Sequence, residues 1–283
     1  MRGDLYRTLT RKRYLIEGRI RYALKRMGSR HARTVLFFPM APHPRATIIK
    51  VCNWTGCRIT TNRLEPCDAA IYWDIAARRR STEAIPPIHG KRVINGACTD
   101  VRKEHVDSLF AELFGYDIRI DPRSHSGLCL RKSNENGTHD GSLIRCPIPA
   151  IEPGFVYQKV IDNTVEAGLV EDLRVPICGE LIPFVIRARR EAADRFAVRS
   201  RTVHCYRTSD VLTAGEVRLI LAFCRTIGLD FGELDVLRDR HDGRIYIVDA
   251  NPTPWGPPAE IAWSHQSFAL RALAEAFEHS VLR

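Results

Sequence analysis

The segment from Phe231 to Asp249 constrains this chain more than any other. Two apolar-rich runs, Phe231 to Leu237 and Arg244 to Asp249, are joined through His241-Asp242-Gly243, and a three-residue loop with glycine in the left-handed position is a common hairpin connection. With Arg240 and Arg244 flanking that loop, counting inward along the antiparallel pair sets Asp235 opposite Asp249. Facing Cβ atoms lie roughly 4.5–5.5 Å apart on one side of a sheet, and Asn251, two residues on, shares that side. Two carboxylates this close repel unless a cation lies between them. Mg2+, or Mn2+ in its place, suits the trio, because such ions take one or two carboxylates and complete their shell with water and phosphate oxygens. The expectation depends on loop length, since a two-residue Asp-Gly turn would slide the register and move Asp235 to the other face. The rival reading, two aspartates that merely face solvent, is weakened by the apolar Tyr246-Ile-Val248 before Asp249. The prolines after Asn251 also force the chain out of the sheet abruptly.

Composition bounds the rest. The 283 residues are 45% hydrophobic and 27% charged, as in a soluble globular protein of one to three lobes. No apolar run reaches the roughly 18 residues needed to cross a bilayer, and no signal-peptide pattern opens the chain, so a cytoplasmic protein is expected. Nine scattered cysteines without a CxxC pair fit reduced thiols, and Cys52, Cys57 and Cys67 lack the spacing of known structural zinc sites. The net charge of +10 is concentrated at one end: residues 1–33 hold eleven Lys/Arg against Asp4 and Glu17. There Leu5, Leu9, Ile16, Ile20, Leu24 and Met27 recur at helical spacing, which predicts a basic amphipathic helix. Three roles stay open for it: peripheral attachment to an anionic membrane, contact with RNA, or packing on its own body or on a second subunit as in a homodimer. The Arg-rich, acid-poor character of a transit peptide is a further reading.

Beyond the arm, Thr34-Val-Leu-Phe-Phe-Pro39 and Asp68 to Asp74 predict strands of a small α/β unit, with a mixed stretch to Arg58 between them and Val93-Ile94-Asn95-Gly96 as its last strand. Asp100 to Phe114 reads as a helix closed by Gly115. Strands are expected at Leu128 to Arg131, Leu143 to Cys146 and Phe155 to Ile161, and a hairpin of Val175 to Cys178 with Leu181 to Ala188 around Gly179-Glu180. Thr213-Ala-Gly-Glu216 is a capping box opening a helix from Val217 to Ile227, which Gly228 ends. A last helix from Gln266 to His279 completes an α+β chain.

Leu229-Asp-Phe-Gly-Glu-Leu-Asp-Val-Leu237 followed by Gly243-Arg-Ile-Tyr-Ile-Val-Asp-Ala-Asn-Pro-Thr-Pro-Trp-Gly256 resembles the closing segment of the ATP-grasp superfamily. The resemblance implies Asp235, Asp249 and Asn251 as magnesium ligands, with Asp at 249 where the family usually has Glu. Upstream, Leu128-Cys-Leu-Arg-Lys132 is similar to the strand whose lysine reaches the nucleotide. Ser133 to Gly141 resembles the loop that folds over phosphates, with Gly137, His139 and Gly141 as contacts, although Asn134, Glu135, Asn136 and His139 depart from a Gly-rich pattern. Phe155 to Asn163 resembles the strand and hinge along adenine. Backbone groups of Gln158, Lys159 and Val160 would read the base there, and Asp162 would take the ribose hydroxyls. Leu173 to Arg187 looks like the paired strands before the metal segment, implying Arg174 and Arg187 as stabilisers of transferred phosphate, and Lys103 is a candidate for the family's earlier lysine.

The similarity spans about residues 95 to 258. It implies two α+β lobes clasping ATP: a small lobe over 96–170 and a large lobe over 171–283, preceded by an N-terminal α/β domain over 34–95. The expected activity is an ATP-dependent carboxylate–amine ligase that forms an amide through an acyl phosphate, with small-molecule acid and amine substrates. A kinase acting on a hydroxyl and a non-catalytic nucleotide-binding protein are the alternatives. Arg45, Arg58, Arg189, Arg190, Arg199 and Arg201 offer charge suited to an anionic acceptor.

Overall fold

The computed structural model describes Ile20, Ala23 and residues 33–282, other than 82–84, 136, 139, 167, 196–201 and 258–260. The expected basic helix over 1–33 therefore lies outside the described residues apart from those two positions. The N-terminal unit holds β1 (Thr34–Pro39), α1 (Thr47–Thr55), β2 (Arg58–Thr60), β3 (Ala69–Trp73) and β4 (Val93–Ile94). Its four strands are parallel in the order β2-β1-β3-β4. Val35, Leu36, Phe37 and Phe38 are all buried, which is why β1 reads as an unbroken apolar run: a parallel strand covered on both faces has no polar side to alternate with. Helix α1 occupies what the sequence left as a mixed stretch. It is rich in β-branched residues and lacks a side-chain cap, yet Ile48, Val51 and Cys52 bury one face at i, i+3 and i+4.

Next come α2 (Lys103–Phe114), ended by Gly115 in the left-handed conformation, and an antiparallel sheet of β5 (Gly127–Ser133), β6 (Ser142–Cys146) and β7 (Phe155–Lys159) with β5 central. The largest sheet uses β8 (Thr164–Glu166), β9 (Leu169–Cys178), β10 (Val185–Glu191), β11 (Thr202–Tyr206), β12 (Phe231–Arg238) and β13 (Ile245–Asn251). Its order is β11-β10-β9-β12-β13, with β8 added on β9. Helices α3 (Ala214–Ile227) and α4 (Trp263–Ser280) complete the described chain. The capping box of α3 forms as expected, with Thr213 accepting from Glu216 N and Glu216 accepting from Thr213 N. Thr213→Ala should cost about 1 kcal/mol of stability, read as a lowered urea midpoint, and an unchanged midpoint would show that the cap contributes nothing.

The two faces of the large sheet have different duties. Leu173, Val175, Ile177, Val185, Leu234 and Val236 share a core with residues of α2 and α3. On the other face Cys178, Ile186, Ala188, Val203, Cys205 and Phe231 share a second core with α4 and the N-terminal sheet. Asn95 ties the N-terminal unit to this sheet: its carboxamide accepts from Asp230 N and Phe231 N and donates to Phe231 O, all within 2.9 Å. Among the described residues no helix is long and apolar enough to cross a membrane, and all nine cysteines are free and buried.

Candidate active site

The register of the last hairpin decides what faces what. Asp235 does oppose Asp249, and Glu233 opposes Asn251. The route to that register differs from the expected one. The loop has four residues, Arg240 to Gly243, closed by Asp239 N donating to Arg244 O and Gly243 N to Asp239 O. By itself this loop would set the register one residue off. A bulge between Asp235 and Val236 restores it, because Val236 faces Ile247 while Asp235 faces Asp249, leaving Val248 as the extra residue. The bulge has a consequence for the site: Val248 and Asp249, neighbours in sequence, both line the same cleft, which a regular strand would forbid.

That cleft, open to solvent, lies between the β6-β5-β7 sheet and one face of the large sheet. Lys103, Lys132, Gly137, Gly141, Gln158, Lys159 and Val160 line it opposite Asp172, Asp235, Leu237, Val248 and Asp249, with Ile118, Leu130, Leu143 and Ile161 supplying apolar surface. Most of the residues expected at a nucleotide site thus converge on one space. His139 lies outside the described residues. Lys103 opens α2 without a side-chain cap from Arg102, and the first amides of the helix are taken by Asn134, Lys103 N donating to its backbone oxygen and Glu104 N to its Oδ1, so the Lys103 ammonium is what that end of the helix offers an anion. Its Nζ donates to Glu135 O at 2.6 Å and lies 3.9 Å from Asp249 Oδ1. Asn134 thus binds the start of α2, its Oδ1 accepting from Glu104 N at 2.9 Å, so this one departure from a Gly-rich loop anchors the loop to the helix. Gly137, at φ +75°, supplies the turn. Burial pulls Lys132 below the usual lysine range, opposed by Asp107 and Asp249.

Two expectations are corrected. Arg187 pairs with Leu173, on the face that carries the α2–α3 core, and its guanidinium lies 4.9 Å from the Tyr206 ring centre and 3.7 Å from Glu171. It is turned away from the cleft, because strand parity gives the site face to residues 186, 188 and 190. Arg190 is the arginine of β10 on that face, 2.7 Å from Asp172. Asp162 is held by His241 at 3.1 Å and by Thr164, whose side-chain and then backbone hydrogen bonds keep its carboxyl below the usual range, and its neighbour Asn163 lines the cleft instead. Lys159 lines the cleft as expected, although its ammonium goes to the Tyr246 hydroxyl at 2.7 Å and its backbone N–H donates to Ile118 O. The arginines offered for an anionic acceptor are partly neutralised too: Arg58 pairs with Glu65 and Arg189 with Glu171, while Arg199 and Arg201 lie outside the described residues.

Beside the facing aspartates, Arg174 shares the site face, opposite Asp235. Its Nη1 lies 3.3 Å from Glu233 and its Nε 4.0 Å from Asp235, and Asp235 with Glu233 raises its pKa against the cost of burial. Burial pushes the Glu233 carboxyl up to about 7, with Arg174 opposing. Glu233 escaped the sequence reading, although it lies two residues before Asp235 and so had to share its face. Asn251 stands on this face, but its Oδ1 accepts from Thr253 N at 2.9 Å and from the Thr253 hydroxyl at 3.3 Å. The facing carboxylates of Asp235 and Asp249 fit a hard divalent cation of the kind that takes one or two carboxylates and completes its shell with water and phosphate oxygens.

Asp107 on α2 was also missed. It is fully buried, and desolvation raises its pKa to about 6. A carboxyl whose folded pKa exceeds its unfolded one near 3.9 favours the folded state below that lower value, and the advantage is lost as pH rises through about 6. Asp107→Asn should therefore flatten the wild-type stability profile between pH 4 and pH 7 by on the order of 2 kcal/mol, measured by urea midpoints. Identical profiles for the two proteins would contradict that environment for Asp107.

No protein-family model matches the sequence, and no curated protein matches it. Solved structures do resemble it. The ATP-grasp ligase PsnB, complexed with a phosphomimetic variant of its minimal precursor, Mg and ADP, matches 88% of this chain and 99% of its own at 10% identity and a TM-score of 0.55. An ATP-grasp RimK domain protein from Sphaerobacter thermophilus matches 89% of this chain and 100% of its own at 12% identity and a TM-score of 0.51. A D-alanine–D-alanine ligase from Bacillus anthracis matches 88% and 97% at 11% identity and a TM-score of 0.50. The chain has the ATP-grasp fold.

Proposed function

We propose that this protein is an ATP-dependent carboxylate–amine ligase, which phosphorylates an acid with ATP and lets an amine displace the phosphate to form an amide. The observation that carries the reading is the cleft in which Lys103 and Lys132 face Asp235 and Asp249 across two sheets. The fold supports it, as do structural neighbours described as ligases, among them one complexed with Mg and ADP. The apolar lining of Ile118, Leu130, Leu143 and Ile161 receives the base, and the backbone at 158–160 runs along its edge. Lys132 and Lys103 hold the phosphates, with Gly137 and Gly141 letting the loop backbone approach them. Asp235 and Asp249 would hold Mg2+, which would screen the phosphate charge, and Asn251 would join them on turning its carboxamide away from Thr253. Arg174, beside Asp235, stabilises charge that spreads onto the transferred phosphoryl group. The residues thus position and polarise, and the free energy comes from ATP.

The test is a hydroxylamine trap. The full chain is incubated with Mg-ATP and pools of carboxylic acids, and hydroxylamine captures any acyl phosphate. A hydroxamate formed with equimolar ADP supports the ligase; phosphorylated product that hydroxylamine leaves intact identifies a kinase and overturns it.

A further inference from the structure

Arg174 stands between two carboxylates on the site face of the large sheet. Strand pairing puts it directly opposite Asp235, yet its Nη1 reaches diagonally to Glu233 Oε1 at 3.3 Å, while its Nε stays 4.0 Å from Asp235 Oδ1. The Asp235 carboxylate is nonetheless the largest single influence raising the Arg174 pKa, ahead of burial and of the Glu233 charge. An arginine free to choose would therefore move toward Asp235, and the surroundings of Glu233 explain why it does not. Glu233 is 7% exposed, and Gly256 closes over its Oε2 so tightly that a Cβ there would come within 3.2 Å of it. Gly256 is in turn fixed to the N-terminal unit, its carbonyl accepting from Thr47 Oγ1 at 2.7 Å and from Lys50 Nζ at 2.9 Å. Glu233 is thus a carboxylate with little room to move, whereas the Asp235 side chain is 41% exposed.

We propose that Glu233 is a positioning residue that holds Arg174 off Asp235 and so leaves the Asp235 carboxylate to the metal ion. This rests on reading Asp235 as a magnesium ligand. A guanidinium can take both oxygens of a carboxylate in a bidentate pair, and a carboxylate so occupied has lost the charge and the lone pairs that a divalent cation needs. With Glu233 in place, Arg174 stays close enough to meet charge on a phosphoryl group without quenching the ligand beside it. Without Glu233, Arg174 has one of its two carboxylates left, and that one is Asp235. The N-terminal unit thereby supports the metal site, through Thr47 and Lys50 on Gly256 and Gly256 on Glu233.

The experiment is a calorimetric titration of the full chain at pH 8 with a non-hydrolysable ATP analogue, once with Mg2+ and once with chelator, and the quantity read is the gain in affinity that Mg2+ brings. Wild type should gain at least about 10-fold. In Glu233→Gln the gain should fall below about 3-fold, because Arg174 turns to Asp235, and a crystal structure of that variant should show the guanidinium about 3 Å from that carboxylate. In the Arg174→Ala background there is no guanidinium to move, so adding Glu233→Gln should leave the gain within about 2-fold of that of Arg174→Ala alone. A full gain retained in Glu233→Gln, or a guanidinium that stays in place there, would overturn the inference and leave the metal reading standing. An equal loss in both backgrounds would also overturn it, since Glu233 would then act through its charge alone. No gain in wild type would sink the metal reading itself. The titration and crystal structure of Glu233→Gln need no second substitution, so a poorly folding Arg174→Ala does not rescue the idea.

Discussion

Asp249→Asn is expected to lower Mg-nucleotide-dependent turnover by about 10^3-fold or more while the protein stays folded. The substitution keeps the volume and removes a ligand charge. It removes one of two like charges that face each other across β12 and β13, but Lys103 and Lys132 lose an attractive partner, so stability should change by under about 1 kcal/mol in either direction. Turnover and urea midpoint measured on the same preparation separate the two effects. A variant that turns over like wild type would falsify the metal assignment, and one that loses activity together with several kcal/mol of stability would point to a structural role for Asp249.

Arg174→Ala should fail in a different way. Glu233 is nearly fully buried, and Arg174 is its ion-pair partner. Removing one member of a buried pair strands the other, at a cost of about 3 kcal/mol. Turnover should fall by roughly 10^2-fold as well, through lost stabilisation of phosphoryl charge. The second substitution Glu233→Gln removes the stranded charge, so the double variant should regain most of the lost urea midpoint but not the lost activity. Recovery of activity along with stability would mean that Arg174 serves the fold alone.

How much of this was legible in the sequence depended on whether local pattern or long-range pairing decided the outcome. The capping box of α3 and the glycine stop of α2 are local devices, and both formed where the residues indicated. The β1 run could be read because burial on two faces leaves no ambiguity of period. The opposition of Asp235 and Asp249 was reached by a different path from the one taken by the chain. A loop one residue longer than expected and a bulge one residue long cancel, and neither is written in short-range composition. Arg187 shows the opposite outcome. The turn at Gly179-Glu180 was located correctly, since Cys178 and Leu181 bond across it, but the register beyond runs from Arg174 opposite Ile186. An irregularity between Leu181 and Val185 thus gave the site face to Arg190. Helix α1 and strand β11 were missed for lack of signal, the first for want of a cap and the second because charged and polar residues crowd its approach. Glu233 and Asp107 are buried carboxylates whose meaning depends on partners 59 and 51 residues away, which no window along the chain contains.

The central claim is that the cleft between the two sheets binds a magnesium nucleotide through Lys132, Asp235 and Asp249. The direct measurement is a calorimetric titration of the full chain with a non-hydrolysable ATP analogue, with Mg2+ and then with chelator. One saturable site is predicted, weakened at least about 10-fold by chelation or by Asp249→Asn and also by Lys132→Met. No binding, or binding of equal strength with and without Mg2+ in wild type and both variants, would contradict it.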